Sequence, residues 1–103
     1  MAYESKTAGK ASDELFEAIL ALETVEECYR FFDDVCTIGE MVAIAQRFQV
    51  AKMLRKKATF NHIVAETGAS TATISRVNRS LNYGSNGYNL ILDRLAESEK
   101  PES

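Results

Sequence analysis

The chain of 103 residues has little that would interrupt helices and nothing that indicates strands. Its single proline is Pro101, in the polar C-terminal tail, and its five glycines all lie at or near predicted element boundaries. No stretch alternates apolar and polar residues long enough to indicate a β-strand, and there are no internal repeats. We therefore expect an all-α fold in one domain over 1–103, with disordered tails at 1–11 and 98–103.

Long apolar runs are missing as well. The longest runs span only a few residues, too few for a transmembrane helix. The N-terminal MAYESKTAGK has no apolar stretch of the kind found in secretion signals. We expect a cytoplasmic protein with no membrane partner.

Cysteine and histidine are too sparse to form a metal site. Cys28 and Cys36 lie eight residues apart, with no further Cys or His nearby, so we interpret them as buried, reduced thiols. His62 is the only histidine, and no Ser/His/Asp, Cys/His or paired-carboxylate constellation can be assembled. We expect no catalytic residues, no metal site and no enzymatic activity.

The charge is unevenly distributed along the chain. The net charge is −3, yet residues 1–42 hold ten acidic and three basic residues, whereas residues 43–94 hold eight basic and two acidic ones. The tail, 95–103, adds three acidic residues and one basic residue. A basic half beside an acidic half is typical of a protein with a nucleic-acid partner on one face, although solvated charge on separate helices explains it equally well.

The acidic half predicts two helices. Ser12 is a good N-cap for a helix over about 13–22, and Thr24 with Glu27 forms a capping box for the next helix. One stripe of that second helix is apolar: Val25, Cys28, Tyr29, Phe32, Val35 and Cys36.

The longest predicted helix spans about 38–57 and begins with a second capping box, Thr37 with Glu40. Its apolar residues spread around most of the cylinder, so it must be covered on more than one side. In a chain this short, we expect a second subunit to supply part of that cover.

The segment from Phe60 to Leu81 predicts a helix-turn-helix. A helix over about 60–67, capped by Thr59, ends at Gly68, and Ser70 caps the helix that follows. A loop over 82–87 then leads to a last helix over about 88–97. Two short helices joined at a glycine also occur in many helical proteins that bind no DNA, so the motif needs support from its surface.

The outer face of the second helix provides that support. Small residues near its start would let the backbone approach base edges, and arginines one turn later could reach guanine or phosphate. The predicted groove contacts are Thr71, Ala72, Ser75, Arg76 and Arg79. The predicted contacts to the flanking DNA backbone are Lys52, Arg55, Lys56, Lys57 and Asn61. Cations at the end of the long helix are also explained by the helix dipole alone.

The segment GASTATISR, within FNHIVAETGASTATISRVNRSLNYG, resembles the helix-turn-helix of the Trp repressor superfamily, and most closely its small YerC/YecD-type members. The resemblance covers roughly 13–97, including AIAQRFQVAKMLRKKAT before the motif. It implies an all-α, intertwined homodimer that acts as a transcriptional regulator, expected to be a repressor. Its two recognition helices would lie about 34 Å apart on a near-palindromic operator.

The resemblance also implies a ligand pocket. In the Trp repressor the indole lies between two arginines, and Arg76 falls on one of these positions, with Thr73 and Ser80 on others that line the pocket. A gapless alignment puts Gln46 at the second arginine. Arg47 takes that place only after a one-residue shift, which rotates a helical side chain by about 100°. A small amino-acid-like effector stays open as a cofactor, and tryptophan is disfavoured.

The sequence therefore favours a homodimeric, sequence-specific regulator that binds double-stranded DNA. Two alternatives remain: a helical adaptor whose acidic half binds a basic protein, and a small-molecule sensor without DNA binding.

Overall fold

The computed structural model describes residues 3–99, and over that range the chain contains six helices and no strand. These are α1 (Lys10–Leu20), α2 (Val25–Val35), α3 (Ile38–Arg55), α4 (Phe60–Thr67), α5 (Thr71–Tyr83) and α6 (Gly87–Glu99). The predicted all-α class and helix order are confirmed. The chain divides into two compact units, one up to Met41 and one from Val42 onward. The predicted tails lie partly outside the described residues, and the single domain stays a prediction.

In the first unit, α1 begins earlier than predicted. Gly9 is its N-cap, and the Asp13 N–H donates to the Gly9 carbonyl at 2.9 Å, so the helical hydrogen bonds begin before Ser12. The Ser12 hydroxyl donates to the Thr7 carbonyl at 2.8 Å. The prediction of Ser12 as N-cap is therefore wrong, because its hydroxyl binds the preceding segment and its backbone is already helical.

The predicted capping box forms completely at α3 and only in part at α2, where the Glu27 carboxylate accepts from the Glu23 N–H at 2.8 Å and not from that of Thr24. The Thr24 hydroxyl accepts from the Glu27 N–H at 3.0 Å. At α3 the exchange is reciprocal, since the Glu40 N–H donates to the Thr37 hydroxyl at 3.1 Å and the Thr37 N–H donates to the Glu40 carboxylate at 2.8 Å. That backbone donor, aided by the Thr37 hydroxyl, lowers the pKa of Glu40.

The apolar stripe of α2 is largely uncovered in the single chain. Neither α1 nor α2 contains a buried residue, and Val25 is 73% exposed. Cys28 is exposed and Cys36 is half-buried, so the expectation of two buried thiols is wrong. The stripe has the spacing of a core-facing helix, yet most of its side chains are exposed.

The second unit holds the hydrophobic core. Its buried residues are Val50, Ala51, Ile63, Ala69, Ile74, Val77 and Leu92, drawn from α3, the helix-turn-helix and α6. The long helix ends at Arg55, two residues earlier than predicted, because Lys57 adopts the left-handed conformation with φ of 65°. The Ala58 N–H donates to the Met53 carbonyl at 3.1 Å, which closes a Schellman motif with lysine where glycine is usual.

Candidate nucleic-acid interface

The helix-turn-helix is built from α4 and α5 by the predicted caps. The Thr59 hydroxyl accepts from the His62 N–H at 3.2 Å, and the Ser70 hydroxyl accepts from the Thr73 N–H at 3.1 Å. Gly68 ends α4 in the left-handed region with φ of 72°. The predicted starts of both helices and the predicted turn residue are confirmed. They could be predicted because each depends on interactions within a few residues of sequence.

The turn is further held by contacts that the sequence did not predict. The Thr67 hydroxyl donates to the Ile63 carbonyl at 2.7 Å and accepts from the Ala69 N–H at 3.1 Å. Gln46 Nε2, from α3, donates to the Thr67 carbonyl at 3.1 Å. Ala69 itself is buried. The angle between α4 and α5 is therefore set by hydrogen bonds on both sides of Gly68 and by a small buried side chain.

One face of α5 is buried and the other is open. Ile74 and Val77 belong to the core. The opposite face, which we call the α5 outer face, consists of the exposed residues Thr71, Ala72, Ser75, Arg76 and Arg79. All but the first of these line one concave surface. Among the described side chains, no carboxylate pairs with either arginine of this face.

The cations at the end of α3 differ in their surroundings. Lys56 and Lys57 are exposed and Lys52 is half-buried, and within residues 3–99 none of the three has an ion-pair partner. Arg55 instead donates to the Asp93 carboxylate at 2.6 Å and to the Asn89 carbonyl at 3.2 Å, both on α6. Arg55, whose guanidinium is already bound to α6, therefore differs from the three lysines that we predicted together with it as contacts to the DNA backbone. Asn61 is exposed in the first turn of α4.

The four positions of the implied ligand site have different surroundings. Ser80 lines a cavity of about 420 Å³ together with Phe48, Ser85, Gly87, Tyr88 and Ile91. Arg76 lies on the α5 outer face instead. The Arg47 guanidinium donates to the Ala43 carbonyl of its own helix at 3.3 Å, and the Thr73 hydroxyl is hydrogen-bonded to Ser70 at 3.1 Å. The cavity beside Ser80 therefore contains neither arginine.

The described part of the chain offers neither a metal site nor a membrane-spanning helix. No group of three or more His, Cys, Asp or Glu side chains is placed to hold a metal ion. None of the described helices has the length and apolar content needed to cross a membrane.

Over residues 3–99 the chain is all-helical, and the second helix of its helix-turn-helix presents an open, cationic face. These features define the class of helix-turn-helix proteins. The family model described as Trp repressor protein matches residues 10–96. The chain therefore belongs to the Trp repressor family, which confirms the resemblance found in the sequence.

Individual relatives agree with this membership. The chain is 57% identical to the uncharacterized protein YerC of Bacillus subtilis (strain 168) over 98 residues, which cover 95% of this chain and 94% of YerC. A crystal structure from Staphylococcus aureus, described as a proposed Trp repressor, is 57% identical with a TM-score of 0.85, covering 88% of this chain and 91% of that one. The crystal structure of a TrpR-like protein from Eubacterium eligens ATCC 27750 is 58% identical with a TM-score of 0.82, covering 87% and 93%.

Proposed function

We propose that the chain is a sequence-specific, DNA-binding transcriptional regulator of the cytoplasm, a repressor that works as a homodimer and is not an enzyme. The observation that carries this proposal is the α5 outer face. It combines small residues with two arginines that have no acidic partner among the described side chains, on a helix fixed by the buried Ile74 and Val77. Family membership supports the same role.

The small residues of the α5 outer face suit direct contact with bases. Thr71 and Ala72 lie in the first turn of α5, where their short side chains allow the backbone to approach the floor of the major groove. The Ser75 hydroxyl, one turn later, can donate to a base or accept from one. These residues would contribute sequence preference more than affinity.

The arginines of the same face can serve both purposes. Arg79 lies one helical turn beyond Ser75 and can form a bidentate pair with guanine or bind phosphate. Arg76 is exposed on the same concave surface. Because neither guanidinium must first leave a carboxylate of the described chain, binding DNA would not cost an existing ion pair.

Contacts to the DNA backbone would come from the lysines that end α3 and from the start of α4. Lys52, Lys56 and Lys57 have no ion-pair partner within residues 3–99, and Asn61 adds an uncharged donor. Such contacts fix register without reading sequence. The excess of basic over acidic residues in 43–94 gives this part of the chain an electrostatic field that attracts DNA, despite the overall net charge of −3.

A homodimer is supported by apolar side chains that the single chain leaves exposed. Leu20 is 84% exposed and Ile38 is 86% exposed. An apolar cavity of about 260 Å³ in the first unit is lined by α2 residues together with Met41. Such apolar exposure is typical of a protein–protein interface, and a second copy of the chain is the proposed occupant. Sedimentation should give twice the monomer mass; a stable monomer would contradict the dimer.

The function is tested by selecting bound duplexes from a random DNA pool and then titrating the selected sequence against salt. We expect affinity to fall by about 0.9 log unit per log unit of salt for each phosphate neutralised. Repeating the selection with and without amino acids would reveal an effector. The adaptor alternative predicts that duplex DNA is not bound even at low salt. It also predicts that reversing the charge of Asp33 and Asp34 weakens binding to a basic protein partner.

A further inference from the structure

Arg55 lies at the centre of a polar network that joins α3 to α6. Its Nη2 donates to Asp93 Oδ1 at 2.6 Å. Its Nη1 donates to the Asn89 carbonyl at 3.2 Å and to Asn89 Oδ1 at 3.4 Å. Both partners belong to the first two turns of α6, more than 30 residues further along the chain. The last residue of the long helix is therefore fastened to the final helix by three hydrogen bonds, one of them charge-assisted on both sides.

Asn89 extends the same network to α5. Its Nδ2 donates to the Leu81 carbonyl at 2.9 Å and to Asn86 Oδ1 at 3.3 Å. Leu81 lies in the last turn of α5, where the final four carbonyls have no partner within the helix. The Asn89 side chain thus satisfies one of these carbonyls, and both its donors and its acceptor oxygen are occupied.

The network gives Arg55 a different role from the neighbouring lysines. A phosphate contact through Arg55 would have to replace a 2.6 Å bond to a carboxylate and two bonds to Asn89. Lys52 and Lys56 face no such competition from the described residues. Arg55 and Asp93 together carry no net charge, so the pair adds little to the field that attracts DNA.

We propose that Arg55, Asn89 and Asp93 form a clamp that holds the C-terminal end of α5 in a fixed orientation to α3, and that Arg55 is a positioning residue. This inference rests on the proposed DNA-binding function, because it assigns the clamp to the recognition helix. An α5 that could tilt would misplace Ser75 and Arg79 against the bases while leaving the phosphate-binding lysines in place. The clamp would therefore support specific binding more than non-specific binding.

The test compares Asn89→Ala, Arg55→Met and Asp93→Asn with the unaltered full-length protein. Affinity is measured for the selected duplex and for an unrelated duplex over a range of salt. Asn82→Ala is the matched control, because among residues 3–99 the Asn82 side chain bonds only to Asn78, within α5 itself. Circular dichroism confirms that each variant is folded, and Arg55→Lys replaces Arg55→Met if that variant fails to fold.

The clamp predicts that Asn89→Ala and Arg55→Met weaken binding to the selected duplex about tenfold. The affinity for the unrelated duplex and the dependence of affinity on salt should stay nearly unchanged. Asp93→Asn should not strengthen binding, and Asn82→Ala should resemble the unaltered protein. If Arg55 instead contacts a phosphate, the opposite results are expected. Arg55→Met would then lower the salt slope by about 0.9 and weaken binding to both duplexes, and Asp93→Asn would strengthen binding by freeing the guanidinium. That pattern would overturn the clamp.

Amide hydrogen exchange separates failure of the clamp from failure of the proposed function. Asn89→Ala should speed exchange in the last turn of α5, and Asn82→Ala should not. If the unaltered protein binds no duplex, the regulator proposal fails, and this exchange result alone decides whether the clamp exists. Unchanged exchange in Asn89→Ala would overturn it.

Discussion

Gln46 Nε2 donates to the Thr67 carbonyl at 3.1 Å and thereby ties the long helix to the turn of the helix-turn-helix. Gln46 is also the residue that a gapless alignment places at the second arginine of the tryptophan pocket. A side chain engaged in holding the turn cannot simultaneously stack on an indole, and an amide lacks the charge that would attract a carboxylate.

We therefore expect that tryptophan does not bind in the way that it binds the Trp repressor. A ligand that binds only the folded state stabilises it by RT ln(1 + [L]/Kd), which is about 2.7 kcal/mol at one hundred times Kd. Thermal melting with millimolar L-tryptophan should show no shift in Tm. A rise that depends on tryptophan concentration would restore the pocket, and Arg76→Ala should then abolish that rise.

Replacing Gln46 with alanine should loosen the turn. The variant leaves the Thr67 carbonyl without its partner from α3, which costs about 1 kcal/mol for a hydrogen bond of this kind. Urea unfolding should show that loss. Gln49→Ala, a change at an exposed glutamine of the same helix, is the control and should be near neutral. Equal losses from the two variants would argue against a role for the Gln46 bond.

Gly68 should resist substitution for conformational reasons alone. Its φ of 72° is in the left-handed region, while a Cβ there would meet no atom within 4 Å. Gly68→Ala should cost about 1–2 kcal/mol through backbone strain, measured by urea unfolding. Gly39→Ala is the matched control, since a Cβ at that helical position also meets nothing within 4 Å and no strain arises. That variant should be neutral or slightly stabilising.

Lys57 should show a conflict between stability and DNA binding. It occupies the left-handed position that ends α3, with φ of 65°, where glycine is favoured. Lys57→Gly should raise the free energy of unfolding by up to about 1 kcal/mol, because it relieves that strain. The same change should weaken DNA binding and lower the salt slope by about 0.9, because a phosphate contact is lost. Unchanged binding would remove Lys57 from the interface.

Glu40 should make stability depend on acid pH. The Thr37 N–H lowers the pKa of Glu40 in the folded state, so its contribution is present above the unfolded pKa of about 4.5 and is lost as the pH falls through the folded pKa. Glu40→Gln should therefore be less stable than the unaltered protein at pH 7 and similar to it at pH values below the folded pKa. Urea unfolding at the two pH values measures this, and a difference that persists at low pH would contradict it.

The sequence predicted best the features that depend on near neighbours. Thr59, Gly68 and Ser70 act within a few residues, so the start of each motif helix and the turn between them could be predicted. The start of α1 could not, because the Ser12 hydroxyl donates to the Thr7 carbonyl and does not cap the helix.

Contacts between distant segments were beyond the sequence pattern. The pairing of Arg55 with α6 and of Gln46 with the turn joins residues that are far apart along the chain. From composition alone, Arg55 could not be distinguished from Lys52 and Lys56. The exposure of Cys28 was missed for a related reason, since an apolar stripe shows that cover is needed without showing whether the same chain supplies it.

The central claim, that the α5 outer face binds DNA, is tested most directly by Arg79→Ala in a salt titration with the selected duplex. We predict that the unaltered protein binds with a steep salt dependence and that Arg79→Ala loses about 1–3 kcal/mol of binding free energy, while its Tm stays the same because Arg79 is exposed. Equal affinity of Arg79→Ala and the unaltered protein, or no duplex binding by either at low salt, would contradict the claim.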